Sequence, residues 1–296
     1  MSTVLVVGVA VMDFVFYVDA FPSGGEKHRA KGAAVVGGGC GANAAVAIAR
    51  LGGRALLASR LGGDPVGQMI ADELEGEGVD LSLTDRSGIR SSYSSILVDA
   101  AGERQIMNFR GEALLQSPAH LASAPSVKVV LADTRWSEGA LAAMELARAR
   151  GVPGILDIEA PADPDAFGPA THLAFSEQGL GHFYPGLDPV AAVAQAATDH
   201  GGWACVTMGA GGVAWSDATG AGHVPAFAVD VVDTLGAGDV WHGAFALQLA
   251  EGADETTAVR FANAVAALKC TRQGGRSGSP TRDEVESFMK EAVTCN

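Results

Sequence analysis

The chain contains the stretch Asp233-Thr234-Leu235-Gly236-Ala237-Gly238-Asp239, which leads directly into the apolar run Val240-Trp241-His242-Gly243-Ala244-Phe245-Ala246-Leu247. This run is hydrophobic on nearly every side, a pattern typical of a buried helix. The residues just before it would form the N-terminal turn of that helix, and they are small: Gly236, Ala237 and Gly238. Small residues let a ligand approach the backbone, and free N–H groups at a helix N-terminus favour an anion. The stretch therefore predicts an anion-binding turn at the start of a buried helix.

Asp239 would lie beside this anion site. A carboxylate there would repel a bound phosphate, so holding phosphate does not explain it. It is well placed to accept a proton from an attacking hydroxyl while the N–H groups stabilise charge on a transferring phosphoryl group. The alternative is that Asp239 only caps the helix. Because the glycine-rich turn has an aspartate on either side, Asp233 and Asp239, we predict that Asp239 is a general base and that the turn is its anion hole.

Short apolar runs of β type recur along the chain, at residues 4–7, 55–59, 127–132, 154–158 and 204–207. Helix-like stretches lie between several of them, at residues 42–51, 65–75, 139–150 and 189–199. Nearly continuous apolar strands that alternate with helices indicate a mostly parallel sheet flanked by helices on both faces. The sequence therefore predicts an α/β fold.

Two segments interrupt this alternation. Residues 15–36 contain charges, glycines and Pro22 where a helix is expected. Further along, residues 92–98 and 104–109 look like two strands around a turn that contains Gly102, which is typical of a hairpin. We predict a small antiparallel β subdomain, which is either a lid over a substrate cleft or a decorated sheet edge. Its segments would be 15–36 and 91–110, and those of the α/β body would be 1–14, 37–90 and 111–296.

The composition excludes several classes of function. The net charge is −14, from 20 basic and 34 acidic residues, and no block of Lys or Arg is present. A protein that follows the phosphates of a nucleic acid needs a basic face. The cysteines are far apart and form no CxxC pair, which favours reduced thiols over a zinc site or disulfides: Cys40, Cys205, Cys270 and Cys295. No apolar stretch approaches the ~20 residues of a membrane span, so we expect a cytoplasmic protein with no nucleic-acid or membrane partner.

Two further glycine clusters adjoin predicted elements. The first, Gly37-Gly38-Gly39-Cys40-Gly41-Ala42-Asn43, opens a helix, and its alternative explanation is a tight loop that needs positive φ angles. The second, Thr207-Met208-Gly209-Ala210-Gly211-Gly212, follows a strand. A strand that runs into a glycine turn at the carboxyl edge of a parallel sheet is a common place for a nucleotide. The chain contains no G-x-x-x-x-G-K-[ST], which excludes a P-loop.

The three glycine elements, in this order, resemble those of the PfkB, or ribokinase-like, family of carbohydrate kinases over essentially the whole chain. The DTxGAGD element is specific, and the other two support it. The resemblance implies a ribokinase-like fold with a β lid, MgATP as phosphoryl donor and a homodimer formed through the lid, and it leaves a monovalent-cation requirement open. The positions that hold the sugar hydroxyls correspond to Asp13, Gly37, Gly38 and Asn43. The nucleotide positions correspond to Thr207, Gly209 and Gly212, together with Asn263 at the start of the helix beside adenine.

Within this family the chain is most similar to the sulfofructose kinase branch, and then to ketohexokinase-like enzymes. In that branch a Lys, an Asn and an Arg receive the sulfonate of the sugar, and Lys27, Asn108 and Arg135 stand at the matching places. Such a trio could hold a sulfonate, carboxylate or phosphate by charge-assisted hydrogen bonds. We therefore expect phosphorylation of a hydroxymethyl group on an anionic ketose such as 6-deoxy-6-sulfofructose. The alternatives are fructose or another neutral sugar, and a keto-deoxy sugar acid.

The chain departs from the family pattern at one place. Many members carry an N-x-x-E element that helps to order magnesium and phosphate, whereas the matching stretch here is Ser176-Glu177-Gln178-Gly179. Magnesium is still expected because ATP phosphates need it, and Glu177 is the one candidate metal contact. The altered stretch is also the only support for a non-catalytic sugar- or nucleotide-binding regulator.

Three conspicuous residues have simpler explanations. His242 lies within the predicted buried helix and is interpreted as a core histidine rather than a base. Arg104 and Arg110 belong to the predicted lid and could contact substrate or phosphate. Solvent exposure is the default expectation for such side chains.

Overall fold

The computed structural model describes residues 1–294, and within them the chain forms fourteen strands and eight α-helices. The strands are β1 (Thr3–Val7), β2 (Val11–Tyr17), β3 (Gly32–Gly38), β4 (Arg54–Ala58), β5 (Arg60–Gly62), β6 (Asp85–Gly88), β7 (Tyr93–Val98), β8 (Arg104–Phe109), β9 (Val129–Asp133), β10 (Gly154–Ile158), β11 (His172–Ser176), β12 (Trp203–Thr207), β13 (Val213–Asp217) and β14 (Gly220–Val224). The helices are α1 (Cys40–Arg50), α2 (Pro65–Gly76), α3 (Ser137–Arg150), α4 (Glu177–Phe183), α5 (Pro189–His200), α6 (Ala237–Glu251), α7 (Glu255–Cys270) and α8 (Arg282–Thr294).

Eight strands form the large sheet, in the order β14-β13-β12-β11-β10-β9-β1-β4. The six strands from β12 to β4 run parallel, and β13 and β14 add an antiparallel edge. This arrangement confirms the predicted α/β class with a mostly parallel sheet. The carboxyl ends of the parallel strands meet at one edge, which is where ligands bind in sheets of this kind.

Helices cover both faces of the large sheet. Along β1, Val4 and Val6 pack into a core cluster with α1, α6 and α7, whereas Leu5 and Val7 pack on the opposite face with α3 and α5. All four side chains are fully buried. Because successive residues of a strand point to opposite faces, an uninterrupted apolar run is the sequence that a doubly covered strand requires.

The helix boundaries follow local sequence signals. At the start of α5, the Asp188 carboxylate accepts hydrogen bonds from the backbone of Val190 and Ala191, with a proline in the first helical position. The helix ends at Gly201, which has a φ of 75°. An aspartate cap, an N-terminal proline and a left-handed glycine are the usual helix boundary signals, so this helix could be located from the sequence alone.

A second, four-stranded sheet has the order β3-β2-β7-β8. Its outer pairs, β2 with β3 and β7 with β8, are antiparallel, as predicted for the small subdomain, while the central pair of β2 and β7 is parallel. Two of its strands extend past the predicted segments, since β2 begins at Val11 and β3 ends at Gly38. Asp13 and the glycines of the first cluster therefore lie where this sheet joins the body.

Three cysteines within residues 1–294 are free thiols, namely Cys40, Cys205 and Cys270. Cys295 lies outside the described residues. Across residues 1–294, none of the helices combines the length and the apolar character that a transmembrane span would need.

Helix α6 packs closely against α1 at Gly243. A Cβ at this position would lie 2.4 Å from the carbonyl oxygen of Ala44, which is backbone and cannot swing aside. Further along α6, the Trp241 and Phe245 rings stack with centroids 5.1 Å apart, and Phe245 stacks on Trp203 at 5.2 Å. The close approach holds the N-terminal ends of α1 and α6 side by side.

We predict that Gly243→Ala destabilises the protein by about 1–3 kcal/mol, the usual cost of overpacking a core, because the added methyl group meets the Ala44 carbonyl. Denaturant unfolding followed by circular dichroism measures this change. The matched control is Gly76→Ala at the exposed end of α2, where a Cβ meets nothing within 4 Å. The control should be neutral or slightly stabilising, and equal stability of the two variants would contradict the packing argument.

Candidate active site

The anion turn lies at the N-terminus of α6. Gly236 caps the helix with a φ of 72°, a left-handed conformation that favours glycine. Within residues 1–294, the N–H groups of Gly236 and Gly238 have no hydrogen-bond partner, whereas that of Ala237 donates to the Thr234 carbonyl at 3.2 Å. Two of the three predicted amides are therefore open to a ligand, and the third stabilises the turn.

Asp239 lies in the first turn of α6, half-buried. Its Oδ2 accepts a hydrogen bond of 2.6 Å from the side-chain amide of Asn43, in the first turn of α1. Burial raises the pKa of Asp239 to about 6, and the Asn43 hydrogen bond opposes this rise. A carboxylate with this pKa is ionised at neutral pH and is more basic than an exposed aspartate, which is the property that a general base requires.

Two further carboxyl groups lie at the same edge of the large sheet, at the ends of β9 and β10. Burial raises the pKa of both Asp133 and Asp157, and the charge of Asp239 contributes to the rise at Asp157. The Nδ1 of His242 is 3.5 Å from Asp157 Oδ2. Burial lowers the pKa of His242 to about 4, so the ring is neutral at pH 7. It lies in the core of α6, as the sequence analysis predicted.

Asp133 fixes the first glycine cluster to the sheet. Its Oδ2 accepts hydrogen bonds from the backbone N–H of Val9 at 2.8 Å and of Gly41 at 2.9 Å. Gly8 is required nearby, because a Cβ there would lie 2.1 Å from the same oxygen. The first turn of α1, which carries Asn43, is thereby held at the carboxyl end of β1, facing Asp239.

The predicted sugar ligands Asp13, Gly37 and Gly38 lie together at the junction of the two sheets. The Asp13 side chain is buried, and burial raises its pKa. A Cβ at Gly38 would lie 2.4 Å from Asp13 Oδ2, and a Cβ at Gly37 would overlap the guanidinium of Arg276. Arg276 is 2% exposed and pairs with Glu73 at 3.0 Å. Because Gly37 and Gly38 have no side chains, there is room for the buried Asp13 carboxylate and the buried Arg276 guanidinium beside the end of β3.

A cavity of about 720 Å³ opens between the body and the small sheet, and we call it the polar cavity. It includes two of the three residues predicted to receive an anion, Asn108 and Arg135, and the lining also contains Cys40, Arg60 and Arg110. The third predicted residue, Lys27, is exposed in the loop between β2 and β3 and is not among the lining residues. The cavity therefore contains two arginines besides the predicted one.

Several of these polar side chains are held in place by neighbours. The Arg60 guanidinium lies 4.6 Å from the centre of the Trp136 ring and donates to the Leu115 carbonyl at 3.3 Å. Arg135 pairs with Glu159. The side-chain amide of Asn108 donates to Ser94 Oγ at 3.1 Å. Arginine has five N–H donors, so Arg60 keeps free donors toward the cavity.

A second cavity, of about 500 Å³, is lined mainly by small and apolar residues, and we call it the apolar cavity. It contains the four residues predicted to bind nucleotide, Thr207, Gly209, Gly212 and Asn263, and it reaches Gly238 of the anion turn. Gly212 has a φ of 81°, and a Cβ there would lie 2.3 Å from the Val224 carbonyl oxygen.

The side-chain amide of Asn263 is already engaged at the wall of the apolar cavity. Its oxygen accepts from the indole N–H of Trp241 at 2.8 Å, and its nitrogen donates to the carbonyls of Val224 and Pro225 at 3.3 and 3.1 Å. Asn263 thus shapes the cavity by joining α7 to α6 and to the end of β14, while its own polar atoms are occupied.

Glu177 is exposed on the first turn of α4, where the preceding Ser176 hydroxyl caps the helix by accepting from Gly179 N–H at 3.0 Å. In the described part of the chain, the one cluster of potential metal ligands is Cys40, Asp157 and Asp239. Magnesium prefers oxygen ligands and keeps several waters, so a thiol with two carboxyl groups does not fit it. The residues present provide no all-protein magnesium site, and magnesium would enter this site with phosphates.

Asp239 lies between the two cavities. The residue before it, Gly238, lines the apolar cavity. Cys40, whose Sγ lies within 4.8 Å of the Asp239 carboxylate, lines the polar cavity. A base between two pockets can deprotonate a hydroxyl in one of them while an anionic group is held at the amides facing the other.

The sequence analysis missed several residues that shape this site: Arg60, Asp133, Asp157, Lys269 and Arg276. Asp133 ends β9, Asp157 is the last residue but one of β10, and Arg60 lies two residues after the end of β4. Positions at or near the carboxyl ends of parallel strands could have identified these three, because such residues meet at the ligand-binding edge. Lys269 and Arg276 carry no sequence signal, since long-range packing alone buries them.

Comparisons with known proteins identify the family of this chain. The model of the pfkB family carbohydrate kinases matches residues 1–282. The ribokinase of Bacillus subtilis (strain 168) is 32% identical over 297 residues, which is 98% of this chain and 100% of the relative. Fructokinase-1 of Oryza sativa subsp. japonica is 29% identical over 289 residues, covering 86% of this chain and 88% of the relative.

A solved structure supports the same assignment. The Arabidopsis thaliana ribokinase, complexed with ribose and ATP, superposes with a TM-score of 0.88 at 25% identity, and the match covers 98% of this chain and 99% of that one. The predicted ribokinase-like fold is therefore confirmed. The chain belongs to the pfkB family of carbohydrate kinases, and it is a phosphotransferase that acts on a sugar hydroxyl.

Proposed function

We propose that the enzyme transfers the γ-phosphate of MgATP to a hydroxymethyl group of a small ketose with an anionic end, such as 6-deoxy-6-sulfofructose. The observation that carries this proposal is the position of Asp239 between a polar and an apolar cavity. The polar cavity would hold the sugar and the apolar cavity the nucleotide. The phosphates would then lie along the open amides of Gly236 and Gly238.

The reaction requires one proton transfer and charge stabilisation. The sugar hydroxyl gives its proton to Asp239, whose Oδ2 is oriented by the 2.6 Å hydrogen bond from Asn43. The hydroxyl oxygen attacks the γ-phosphorus, and the bond to the bridging oxygen of ADP breaks. The amides of Gly236 and Gly238 and the dipole of α6 stabilise the negative charge of the transferring group.

The lining of the apolar cavity suits a purine base. It is flanked by the small residues Gly209, Gly212 and Ala267, and its walls include Phe227 and Trp241. Ligand pockets are mostly apolar with a few polar groups. We propose that magnesium binds mainly through the ATP phosphates and water, because the described residues offer no oxygen-rich cluster for it. A contact from Glu177 stays a prediction.

The arginines of the polar cavity support an anionic substrate. Arg60, Arg110 and Arg135 line one cavity of a protein with a net charge of −14. An anionic sugar would approach against the overall field, so local positive charge has to compensate. The carboxylates of Asp13 and Asp239 suit hydroxyl groups instead. The neutral alternatives remain relevant because the chain has ribokinase and fructokinase relatives. A keto-deoxy sugar acid would also present an anion to these arginines.

We further propose that the small sheet, with the segments 15–36 and 91–110, acts as a lid that excludes water from the polar cavity, and that two copies pair through it in the cytoplasm. Of the large apolar side chains exposed on this sheet, Phe16, Val35 and Met107 share one face and form a patch, whereas Tyr17 and Ile106 lie on the opposite face. Exposed apolar patches of this kind mark interaction sites. A second copy can cover the patch with the same residues in a two-fold symmetric contact.

The first prediction concerns pH. Because Asp239 acts as a base only when it is ionised and burial raises its pKa to about 6, kcat/KM should be constant above about pH 7. Below about pH 6 it should fall tenfold per pH unit. Coupled measurement of ADP release with a panel of sugars gives this profile. Asp239→Asn should lower kcat by about 10²–10⁴-fold, and its residual activity should lack this acidic limb.

Ionisation of ATP affects the wild-type and variant profiles equally, so the difference between them isolates Asp239. Asp283→Asn on the exposed first turn of α8 is the matched control and should keep the wild-type profile. Unaltered turnover in Asp239→Asn would show that Asp239 is not the base.

The second prediction concerns the anionic end of the sugar. Arg60→Ala and Arg135→Ala should each raise KM for sulfofructose about 10- to 100-fold, since a hydrogen bond to a charged group contributes about 1.5–3 kcal/mol. KM for fructose should change little. The control Arg148→Ala removes an exposed arginine from α3 and should affect neither substrate. Fructose as the better substrate of the wild type, with no effect of either variant, would favour the neutral-sugar alternative.

The third prediction concerns assembly. Met107 is 78% exposed at the patch, and Met107→Asp should convert a dimer to a monomer because a charge would be buried in the contact. Light scattering at micromolar concentration measures the mass. Val190→Asp on α5 is the control, since Val190 is also exposed but lies far from the lid in the fold. A monomeric wild type would refute the lid dimer.

A further inference from the structure

Lys269 carries a buried positive charge beneath the anion turn. It lies in the last turn of α7, and its side chain is 0% exposed. Its Nζ donates to the backbone carbonyl of Asp233 at 2.8 Å and lies 3.8 Å from Asp233 Oδ2. Burying an ammonium group is costly unless partners compensate, so this placement calls for a structural reason.

Asp233 is the point where three segments meet. Its Oδ1 accepts from the Leu235 N–H at 2.9 Å, and its Oδ2 accepts from those of Gly274 and Gly275 at 3.1 and 3.4 Å. Its own N–H donates to the Cys270 carbonyl, at the end of α7, at 3.1 Å. Asp233 thereby joins the start of the anion turn to α7 and to the loop that follows it.

A carbonyl oxygen and a carboxylate oxygen facing one point are ligands that a monovalent cation also uses. Here that point is taken by the Lys269 ammonium group. A second cation placed against the same oxygens would meet the lysine charge at short range. The residues present therefore do not fit a bound monovalent cation at this place.

We infer that Lys269 is a built-in monovalent cation that positions the anion turn. Its ammonium group draws the Asp233 carbonyl toward α7, and the segment from Asp233 to Gly236 then presents the open amides of Gly236 and Gly238. The enzyme needs no added potassium or ammonium ion. The catalytic part of this inference rests on the proposed phosphoryl transfer, whereas the cation substitution rests on the Lys269 contacts alone.

Arg104 also reaches Asp233, donating to Oδ1 at 3.1 Å, but it cannot take this role. Its side chain is 37% exposed and belongs to β8 of the lid, so solvent screens its charge. Lys269 belongs to the body and touches the backbone carbonyl itself. The two cations therefore act on different atoms of Asp233.

The first experiment uses the wild-type protein in potassium, sodium and choline chloride at equal ionic strength. Turnover with ATP, and ATP binding measured by calorimetry without sugar, should agree within about twofold among the salts, since screening is the same in all three. A large rise in turnover or in ATP affinity when potassium replaces choline would overturn the inference. Absence of ATP binding in every salt would instead refute the proposed kinase function.

The second experiment removes the buried charge with Lys269→Met, which keeps an unbranched side chain that is one heavy atom shorter. In choline chloride kcat should fall about 100-fold, the usual cost of disturbing an anion hole. Potassium or ammonium ions should restore part of the loss, and sodium less. Lys128→Met is the control, since Lys128 is exposed at the start of β9, and it should behave as the wild type in every salt.

Melting temperature gives a readout that does not depend on activity. The melting temperature of Lys269→Met should rise with potassium or ammonium relative to choline, because a cation that binds only the folded state stabilises it, while that of the wild type should not. If the variant loses activity and no monovalent cation raises its turnover or its melting temperature, Lys269 has only a packing role in the core. If the variant does not fold, the wild-type salt comparison still decides.

Discussion

The hydrogen bond from Asn43 to Asp239, 2.6 Å long, is the interaction on which the rest of the site depends. A carboxylate that serves as a base must be buried enough for its pKa to rise and yet stay ionised at neutral pH. Burial raises its pKa to about 6, and the Asn43 amide limits that rise by stabilising the charged form. The bond needs the N-termini of α1 and α6 side by side, which is possible because Gly243 lets α6 touch the Ala44 backbone.

The charged groups around this hydrogen bond occupy separate places. Asp133, Asp157 and Asp239 gather at one sheet edge, where burial favours the neutral form of the first two and the anion turn leaves two amides open. Positive groups are confined to separate places, with Lys269 behind the turn and the arginines in the polar cavity. This separation keeps Asp239 free of a salt bridge, which would lower its pKa and weaken it as a base.

The sequence predicted those parts of the structure that local patterns encode. The strands at 154–158 and 104–109 have the predicted bounds, and α5 differs from its prediction by one residue, because apolar runs, caps and turns are local signals. Of the candidate site, the turn at 236–239 was predicted from its glycine pattern, and Asn43 was implied by the family resemblance. Arg60 and Lys269 could not be identified in this way. Their roles depend on Trp136 and Asp233, which are distant in sequence, and contacts of that kind leave no local pattern.

Strand β8 of the small sheet contacts two parts of the candidate site. Asn108 on this strand lines the polar cavity, and Arg104, four residues earlier on the same strand, pairs with Asp233 at 3.1 Å. Asp233 in turn begins the segment that ends in the open amides. A movement of β8 that repositions Asn108 must also change the Arg104 contact, since a strand moves as one piece. If the small sheet closes over a sugar as proposed, that closure and the placement of the anion turn are coupled through Asp233. The contacts of its backbone carbonyl with Lys269 and of its carboxylate with Gly274 and Gly275 lie within the body and do not depend on the small sheet.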